Sequence, residues 1–301
     1  MSKIKDWIYA FRLRTLFLAV AGVILGSGMA TQSGKFSITT FSLALLLAVS
    51  IQILSNLAND LGDFLKGTDT TGKRTGPKRA VQSGKISPDQ MKSGVAAMAL
   101  FTALIGIILV FQSAGTSGKA AVPILLGIGA VSILSALFYT IGRYAYGYVG
   151  WGDFFAFFFF GPVAVVGTYF LHTGSMDWQS LLPAMGLGLI STMTLNINNM
   201  RDIENDTNSG KITVASKLGL SKAKKYHAAL TFGVFVFFLL YSILHAELQW
   251  YNLLYTVVFI FQMKIWMGIR SKSDRALDPY LKLTSISGFL IALSFVICIN
   301  L

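Results

Sequence analysis

Two short segments carry most of what this sequence offers for chemistry. The first runs Asn56-Leu57-Ala58-Asn59-Asp60-Leu61-Gly62-Asp63 and places Asn56, Asp60 and Asp63 at i, i+4 and i+7. The second runs from Asn198 to Asp206 and places Asn198, Asp202 and Asp206 at i, i+4 and i+8. On a helix each trio shares one face. Carboxylates grouped this closely repel one another by about a few kcal/mol per pair at an effective dielectric near 20, so something cationic must compensate. Aspartate and asparagine oxygens with no His or Cys beside them are hard ligands, which suits Mg²⁺. Magnesium takes one or two carboxylates together with phosphate oxygens and water. Two acidic helix ends facing each other therefore predict a metal-bridged diphosphate, with Asp60, Asp63, Asp202 and Asp206 as the metal ligands and catalytic acids and with Asn56 and Asn198 completing or orienting the coordination.

Basic residues follow both segments: Lys66, Lys73, Arg74, Lys78 and Arg79 after the first, Lys211 and Lys217 after the second. Acid followed by base fits a phosphate clamp, in which Lys and Arg side chains contact the oxygens that the metals leave over. Any single lysine here is equally well explained as a loop charge set by membrane topology. The paired acidic segments have no comparably cheap explanation, because carboxylates at membrane depth are costly.

The elements that must position these segments follow from composition. Of 301 residues, 54% are hydrophobic and only 13% charged, against about 25% charged in soluble domains, and the mean hydropathy is +0.63. A soluble globular protein is excluded. Nine stretches reach the roughly 20 apolar residues of a spanning helix, at approximately 15–32, 38–58, 93–113, 120–141, 153–172, 181–198, 228–246, 250–268 and 282–300. The first follows Lys3, Lys5, Arg12 and Arg14, yet further spans succeed it, so it reads as a retained helix rather than a signal peptide.

With a cytoplasmic N-terminus, only Lys35 and Lys119 of the 25 Lys and Arg residues fall outside, as the positive-inside rule demands. The net charge of +12 thus reports topology and calls for no nucleic-acid partner. The lone Cys298 excludes an intrachain disulfide and any cysteine-built metal site. Inner loops at about 59–92 and 199–227 hold most of the charge, which puts the chemistry at the cytoplasmic mouth. The last inner loop, with Arg270, Lys272, Arg275, Asp278 and Lys282, reads as an interface anchor. Gly161-Pro162 predicts a kink in the fifth span. The expected fold is all-α: a single polytopic membrane domain over 1–301, with nine transmembrane helices around a central cavity.

The motifs resemble those of the UbiA superfamily of intramembrane aromatic prenyltransferases. Asn59-Asp60-Leu61-Gly62-Asp63 is similar to the opening of that family's Asn-Asp-x-x-Asp-x-x-x-Asp signature, and Asp202-Ile203-Glu204-Asn205-Asp206 to its Asp-x-x-x-Asp signature. The likeness extends through Asn198-Asn199-Met200-Arg201 and Gly210-Lys211-Ile212-Thr213, and to Arg12-Leu13-Arg14-Thr15-Leu16, where the family has proline at the second position. One departure is Gly67, four after Asp63, where the family has its third acid; the next acid is Asp69. The run through Lys66-Gly67-Thr68-Asp69 to Gly76-Pro77 and Arg79 looks most like the branch that acts on 1,4-dihydroxy-2-naphthoate.

The resemblance implies Mg²⁺-dependent transfer of a polyprenyl chain from polyprenyl diphosphate to 1,4-dihydroxy-2-naphthoate, with loss of the ring carboxylate, to give demethylmenaquinone in a bacterial cytoplasmic membrane. It also implies substrate-binding roles for Asn56, Asn59, Lys66, Arg74, Arg79, Asn198, Arg201 and Lys211. An allylic cation formed in such a reaction needs a dry pocket with electron-rich walls, worth roughly 0.5–2 kcal/mol per ring. Tyr139 and the run Trp151 to Phe160 are available, although phenylalanine is also an ordinary lipid-facing residue. Asp153 starts the fifth span; it can orient the aromatic acceptor or take its proton, or it can cap its helix. His172, His227 and His245 have no ligand spacing and receive no role.

Two other functions compete. One is a family member using another acceptor, such as 4-hydroxybenzoate or a chlorin. The other is a cation transporter, which intramembrane acids can equally mark. The acids here lie at helix ends beside Lys and Arg, which would repel a permeating cation.

Overall fold

The computed structural model describes residues 3–71, 75–244 and 249–301. Among them the chain is helical almost throughout, and the one strand-like feature is an isolated parallel bridge between Val149 and Ile212. The helices are α1 (Ile4–Phe11), α2 (Leu16–Gln32), α3 (Ile38–Leu65), α4 (Pro88–Ser117), α5 (Val122–Phe138), α6 (Gly152–Phe158), α7 (Gly167–Thr173), α8 (Leu181–Arg201), α9 (Ile203–Asn208), α10 (Val214–Leu244), α11 (Val257–Arg270) and α12 (Asp278–Ile299). Nine helical runs among the described residues are long and apolar enough to cross a membrane, and they fall where the apolar stretches of the sequence predict them. The protein is a multi-pass membrane protein.

Local chemistry sets the ends of these helices. Ser37 accepts a hydrogen bond from the Thr40 amide at the start of α3, and Ser87 and Gln90 cap α4 reciprocally, with Pro88 in its first turn. Arg12, at φ 52°, separates α1 from α2, and Gly219, at φ 73°, breaks α10 near its start. Gly161-Pro162 produces a π-helical turn over Phe159–Val166 between α6 and α7, since proline offers no N–H to the regular ladder. That turn crosses α8 at close range. A Cβ on Gly161 would lie 2.5 Å from the Ala184 carbonyl, and one on Gly188 would lie 2.6 Å from the Phe157 carbonyl. Small residues of this kind let helix backbones approach in lipid, where no hydrophobic drive pushes helices together.

Four packed groups result among the described residues, of which two are the largest. One centres on Leu25, Leu187, Phe238 and Phe295 of α2, α8, α10 and α12. The other joins α1, α3 and α4 through Ala10, Leu54, Leu57 and Met91. A cavity of about 1660 Å³ lies among the helices, with walls from α2 through α8 and from α12. Helix α3 continues past its expected end at 58 to Leu65, so the first acidic segment forms its last turns.

Candidate active site

The first acidic segment is a helix end bound on every side. Asn56 donates to the Phe11 carbonyl and to Thr15 Oγ1, both at 2.8 Å, which fixes the α1–α2 junction against α3. Both Asp60 oxygens accept backbone amides of the following loop, from Ala80 at 2.9 Å and Val81 at 3.2 Å. Asp63 receives the Tyr148 hydroxyl at 2.6 Å and the Arg79 guanidinium at 2.5 Å. Arg79, 8% exposed, also reaches Asp69 at 3.4 Å and donates to the Asn59 carbonyl. Burial alone would lower the Arg79 guanidinium, but Asp63, Asp69 and Asp60 around it raise it above its ordinary value, so it stays charged. Asp69 thus joins the site from two positions beyond the glycine at 67, reached through a turn in which its amide bonds the Asp63 carbonyl.

Gly62 explains how α3 can carry these acids so close to the next loop. A Cβ there would lie 2.3 Å from Thr140 Oγ1 and 2.8 Å from the Thr140 backbone. Thr140 in turn donates to the Ala58 carbonyl and to Asn59 Oδ1, and its neighbour Tyr139 enters the cavity wall.

The second segment does not form one continuous helix, which corrects the single-face reading of Asn198, Asp202 and Asp206. Helix α8 ends at Arg201, the chain bends at Asp202, and α9 begins at Ile203. The cause is Arg201, 2% exposed, whose guanidinium spans both Asp202 oxygens, Asn198 Oδ1 at 2.8 Å and Asp278 Oδ1 at 2.6 Å. Arg201 is therefore committed to protein partners. Asp278, expected only to anchor the interface, is drawn into this network and also pairs with Arg14 at 3.5 Å. Asp206 keeps one oxygen 3.6 Å from the Lys211 ammonium, while its Oδ2, buried, has no hydrogen-bond partner among the described residues. Burial pushes the Asp206 carboxyl up to about 6; Lys211 pulls against this, and Asp202 and Asp63 add to it.

The two segments are tied directly. Asn205 donates to the Thr68 carbonyl at 3.2 Å and accepts from Thr71, and Thr75 donates to Asp202 Oδ1 at 3.0 Å and to the Arg201 carbonyl. The expectation that two acidic helix ends face each other thus has its counterpart in these bonds. Even so, no group of three His, Cys, Asp or Glu side chains among the described residues could hold a metal ion alone, so Asp60, Asp63, Asp202 and Asp206 do not converge on one point.

Of the candidate residues, Asn59, Asp63, Arg79, Tyr139, Asn198 and Lys211 line the cavity, and Arg12, Arg14 and Lys282 join them. Asn56, Asp60, Arg201, Asp202 and Asp206 stand behind that wall. Lys66 lies over the Tyr148 ring, 4.7 Å from its centroid. Arg74, with Lys73 and His245, lies outside the described residues. Asp153 does not cap its helix; its carboxylate bonds the Tyr226 side chain, and its Oδ2 is buried with no hydrogen-bond partner among the described residues, beside a small void lined also by Tyr139 and Asn199.

Along the cavity runs a column of rings. Tyr139 meets Tyr146 edge-on at 5.3 Å, Tyr146 stacks on Phe155 at 4.1 Å, and Phe155 stacks on Phe159 at 5.9 Å. The phenylalanine run therefore divides: Phe155, Phe158, Phe159 and Phe160 line the cavity, while Trp151 and Phe154 do not and are more than half exposed. Burial, then Asp63 and Asp153, raises the Tyr139 phenol above its usual range and keeps it neutral. Sequence reasoning passed over Tyr148, Asn205 and the threonines at 68, 71 and 75. Only the likeness of Asn205 and Thr68 to motif neighbours offered a signal for them.

Comparison with known proteins agrees with this architecture. A sequence model of the UbiA prenyltransferase family matches residues 15–286. The chain is 37% identical to 1,4-dihydroxy-2-naphthoate octaprenyltransferase of Escherichia coli (strain K12), over 100% of this chain and 97% of that protein. It is 36% identical to the protein of the same name from Haemophilus influenzae, over 98% and 95%. Among solved structures, a UbiA homolog from Aeropyrum pernix K1 superposes with a TM-score of 0.67 at 17% identity, covering 95% of this chain and 98% of that one. A UbiA homolog from Archaeoglobus fulgidus bound to GPP and Mg²⁺ gives 0.61 at 13% identity, covering 98% and 100%.

Proposed function

The chain belongs to the UbiA prenyltransferase family, and on that premise we propose that it transfers a polyprenyl chain from polyprenyl diphosphate to 1,4-dihydroxy-2-naphthoate, with loss of the ring carboxylate, to give demethylmenaquinone. The observation that carries the donor half of this reading is the cavity itself. Its polar end presents Asp63, Arg79, Lys211 and Asn198, and its body is apolar, walled by α4, α5 and the ring column. A diphosphate fits the first part and an isoprenoid tail the second. The acceptor half rests on the names of relatives that are 36–37% identical over nearly their whole length.

The residues present suit a hard dication. The buried Asp206 Oδ2 has no hydrogen-bond partner among the described residues, and an ionised carboxylate only accepts, through about four sites. Asp63 and Asp206, one from each segment, would hold Mg²⁺ largely through diphosphate oxygens and water, while Asp202 stays with Arg201 and Thr75 and Asp60 anchors the loop that presents Arg79. Bound there, the metal would neutralise charge on the departing diphosphate.

The chain's own groups do the rest. Arg79 and Lys211 contact diphosphate oxygens and stabilise the leaving group as the allylic carbon–oxygen bond lengthens. Tyr139, Tyr146, Phe155 and Phe159 present ring faces to the positive charge that develops on the allylic carbon and exclude water from it. Asp153, behind Tyr139, is placed to accept the acceptor's proton through the void they share. In this reading residues 1–301 act as one domain in a bacterial cytoplasmic membrane, with the N-terminus and the site on the cytoplasmic side.

The purified protein, given Mg²⁺, a polyprenyl diphosphate and either 1,4-dihydroxy-2-naphthoate or 4-hydroxybenzoate, is expected to yield a decarboxylated prenyl-naphthalene by mass, and none with EDTA or with Asp206→Asn. Product from hydroxybenzoate alone would reassign the acceptor. No product from either would return the transporter to consideration.

A further inference from the structure

Tyr148 lies in the segment between α5 and α6, outside both acidic motifs, yet it touches both. Its hydroxyl is 2.6 Å from Asp63 Oδ1 and 2.6 Å from Thr68 Oγ1. An ionised carboxylate only accepts, so the single phenolic proton goes to Asp63, and the Thr68 hydroxyl donates to the phenolic oxygen. Both partners belong to the first acidic segment and its following turn. On the other side, the Tyr148 carbonyl accepts from the Ile212 amide at 3.0 Å, next to the parallel bridge between Val149 and Ile212. Ile212 directly follows Lys211, so the backbone of this segment is bonded to the second motif's loop.

Two ammonium groups lie over the ring, Lys66 Nζ 4.7 Å and Lys211 Nζ 5.6 Å from its centroid. Lys66 comes one residue after α3 ends, and Lys211 follows α9. Two ammonium groups drawn from different segments would repel each other at this range. The electron-rich ring attracts both and gives each a preferred place. Tyr148 itself is buried, 9% exposed, and is held by two hydroxyl bonds and two backbone bonds, its amide donating to the Ala145 carbonyl and its carbonyl accepting from Ile212.

We propose that Tyr148 is a positioning residue, whose hydroxyl fixes the Asp63 carboxylate and whose ring aims Lys66 and Lys211 together at the diphosphate. The proposal rests on reading this site as a diphosphate site. It separates into two parts that different substitutions remove: Tyr148→Phe deletes the hydroxyl and keeps the ring, while Tyr148→Leu deletes both.

The test uses the full chain purified in detergent, with inorganic pyrophosphate and Mg²⁺ as probes, read by calorimetry and by thermal unfolding with and without them. Absence of pyrophosphate binding by the wild type would sink the diphosphate reading itself, whatever the variants do. Given wild-type binding, Tyr148→Leu is expected to weaken pyrophosphate about tenfold, the order that two cation–ring contacts supply. Tyr148→Phe should hold pyrophosphate within about threefold but need several-fold more Mg²⁺ for half-saturation, because Asp63 loses its orienting donor.

In a Lys66→Ala, Lys211→Ala background, Tyr148→Leu should cost no further affinity, since the ring acts through those lysines. Melting without ligand should stay near the wild type for Tyr148→Phe. Wild-type pyrophosphate affinity in Tyr148→Leu would overturn the proposal. So would an equal loss in the lysine-free background, or equal loss of binding and melting temperature in both single variants, which marks Tyr148 as scaffold only. Should Tyr148→Leu fail to fold, the Mg²⁺ requirement of Tyr148→Phe decides the hydroxyl part, and the pyrophosphate affinity of Lys66→Ala, expected to fall several-fold, decides the ring part.

Discussion

Replacing Arg79 by methionine removes the one guanidinium among the described residues that is set among Asp60, Asp63 and Asp69, each of which is 1% exposed. Arg79 lies 2.5 Å from Asp63 and 3.4 Å from Asp69, so two carboxylates share one cation. A pair of unit charges about 4 Å apart is worth roughly 4 kcal/mol at an effective dielectric near 20. Desolvation offsets much of that gross figure, and truncating one partner of a buried pair costs about 3–5 kcal/mol in practice. The loss is not doubled for the second carboxylate, because one of the two can take up a proton once the cation is gone. Arg79→Met is therefore expected to lower the unfolding free energy by about 3–5 kcal/mol. Arg79→Lys keeps the charge but gives up the fork that reaches both acids and the Asn59 carbonyl, at roughly 1–2 kcal/mol.

The coupling to Asp69 is the sharper part. Asp69→Asn in the wild-type background leaves the Arg79–Asp63 pair whole, but in the Arg79→Met background it removes one of two neighbouring like charges that have both lost the Arg79 guanidinium. It should then restore part of the lost stability. Millimolar Mg²⁺ should stabilise Arg79→Met more than the wild type, since a dication can take over the missing charge. The assay is denaturant unfolding of the detergent-solubilised protein followed by tryptophan fluorescence. An Arg79→Met protein within about 1 kcal/mol of the wild type, or an Asp69→Asn effect that is the same in both backgrounds, would refute the shared-cation account.

Other consequences follow from single contacts. The Asp206 carboxyl, at about 6, lies above its ordinary 3.8, so the folded chain holds this proton better than the unfolded one; metal-free stability falls as pH rises from about 4 to 6, and Mg²⁺ must displace that proton below pH 6. The Mg²⁺ needed for half-saturating pyrophosphate binding should climb below pH 6 and stay flat from 7 to 8, and Asp206→Asn should abolish the climb; the same climb in that variant would exclude Asp206 as its source. His227 is fully buried with neither ring nitrogen partnered among the described residues, so His227→Leu is expected to raise the unfolding free energy by about 1 kcal/mol, and a lowered melting temperature would show that the ring has a partner worth keeping. Gly62→Val should separate α3 from Thr140, because its Cβ would lie 2.8 Å from backbone that cannot swing aside; prenyl transfer should be lost, and a variant with wild-type turnover would mean the close approach is dispensable.

How much of this protein was legible beforehand differs between its parts. The spans were written in composition, because about 20 apolar residues in a row have few alternatives to a membrane helix. Each of the nine stretches falls on a spanning run, although the runs Ile4–Gln32, Ile38–Leu65, Pro88–Ser117, Val214–Leu244 and Asp274–Ile299 extend further through polar ends that stay helical. The two acidic segments were legible as well, since clustered carboxylates at a helix end are too costly to be incidental. Periodicity failed at the second segment. A repeat of four assumes the helix continues, and a buried arginine that gathers Asn198, Asp202 and Asp278 ends it at Arg201 instead.

The sequence by itself determined the medium, the number of spans and the two stretches of chain that hold the acids, because each of these is a local property of composition and spacing. Only the tertiary structure decided what each acid does. It gave Asp60 to the amides of Ala80 and Val81, Asp63 to Arg79 and Tyr148, and Asp202 to Arg201, and it left one oxygen of Asp206 without a donor among the described residues. It also turned Phe155, Phe158, Phe159 and Phe160, but not Trp151, Phe154 or Phe157, of a run of similar rings to the cavity. These assignments depend on partners as far as 85 residues away along the chain, as between Asp63 and Tyr148. A carboxylate's role is set by which donors reach it in space, and neighbours in sequence do not fix that distance.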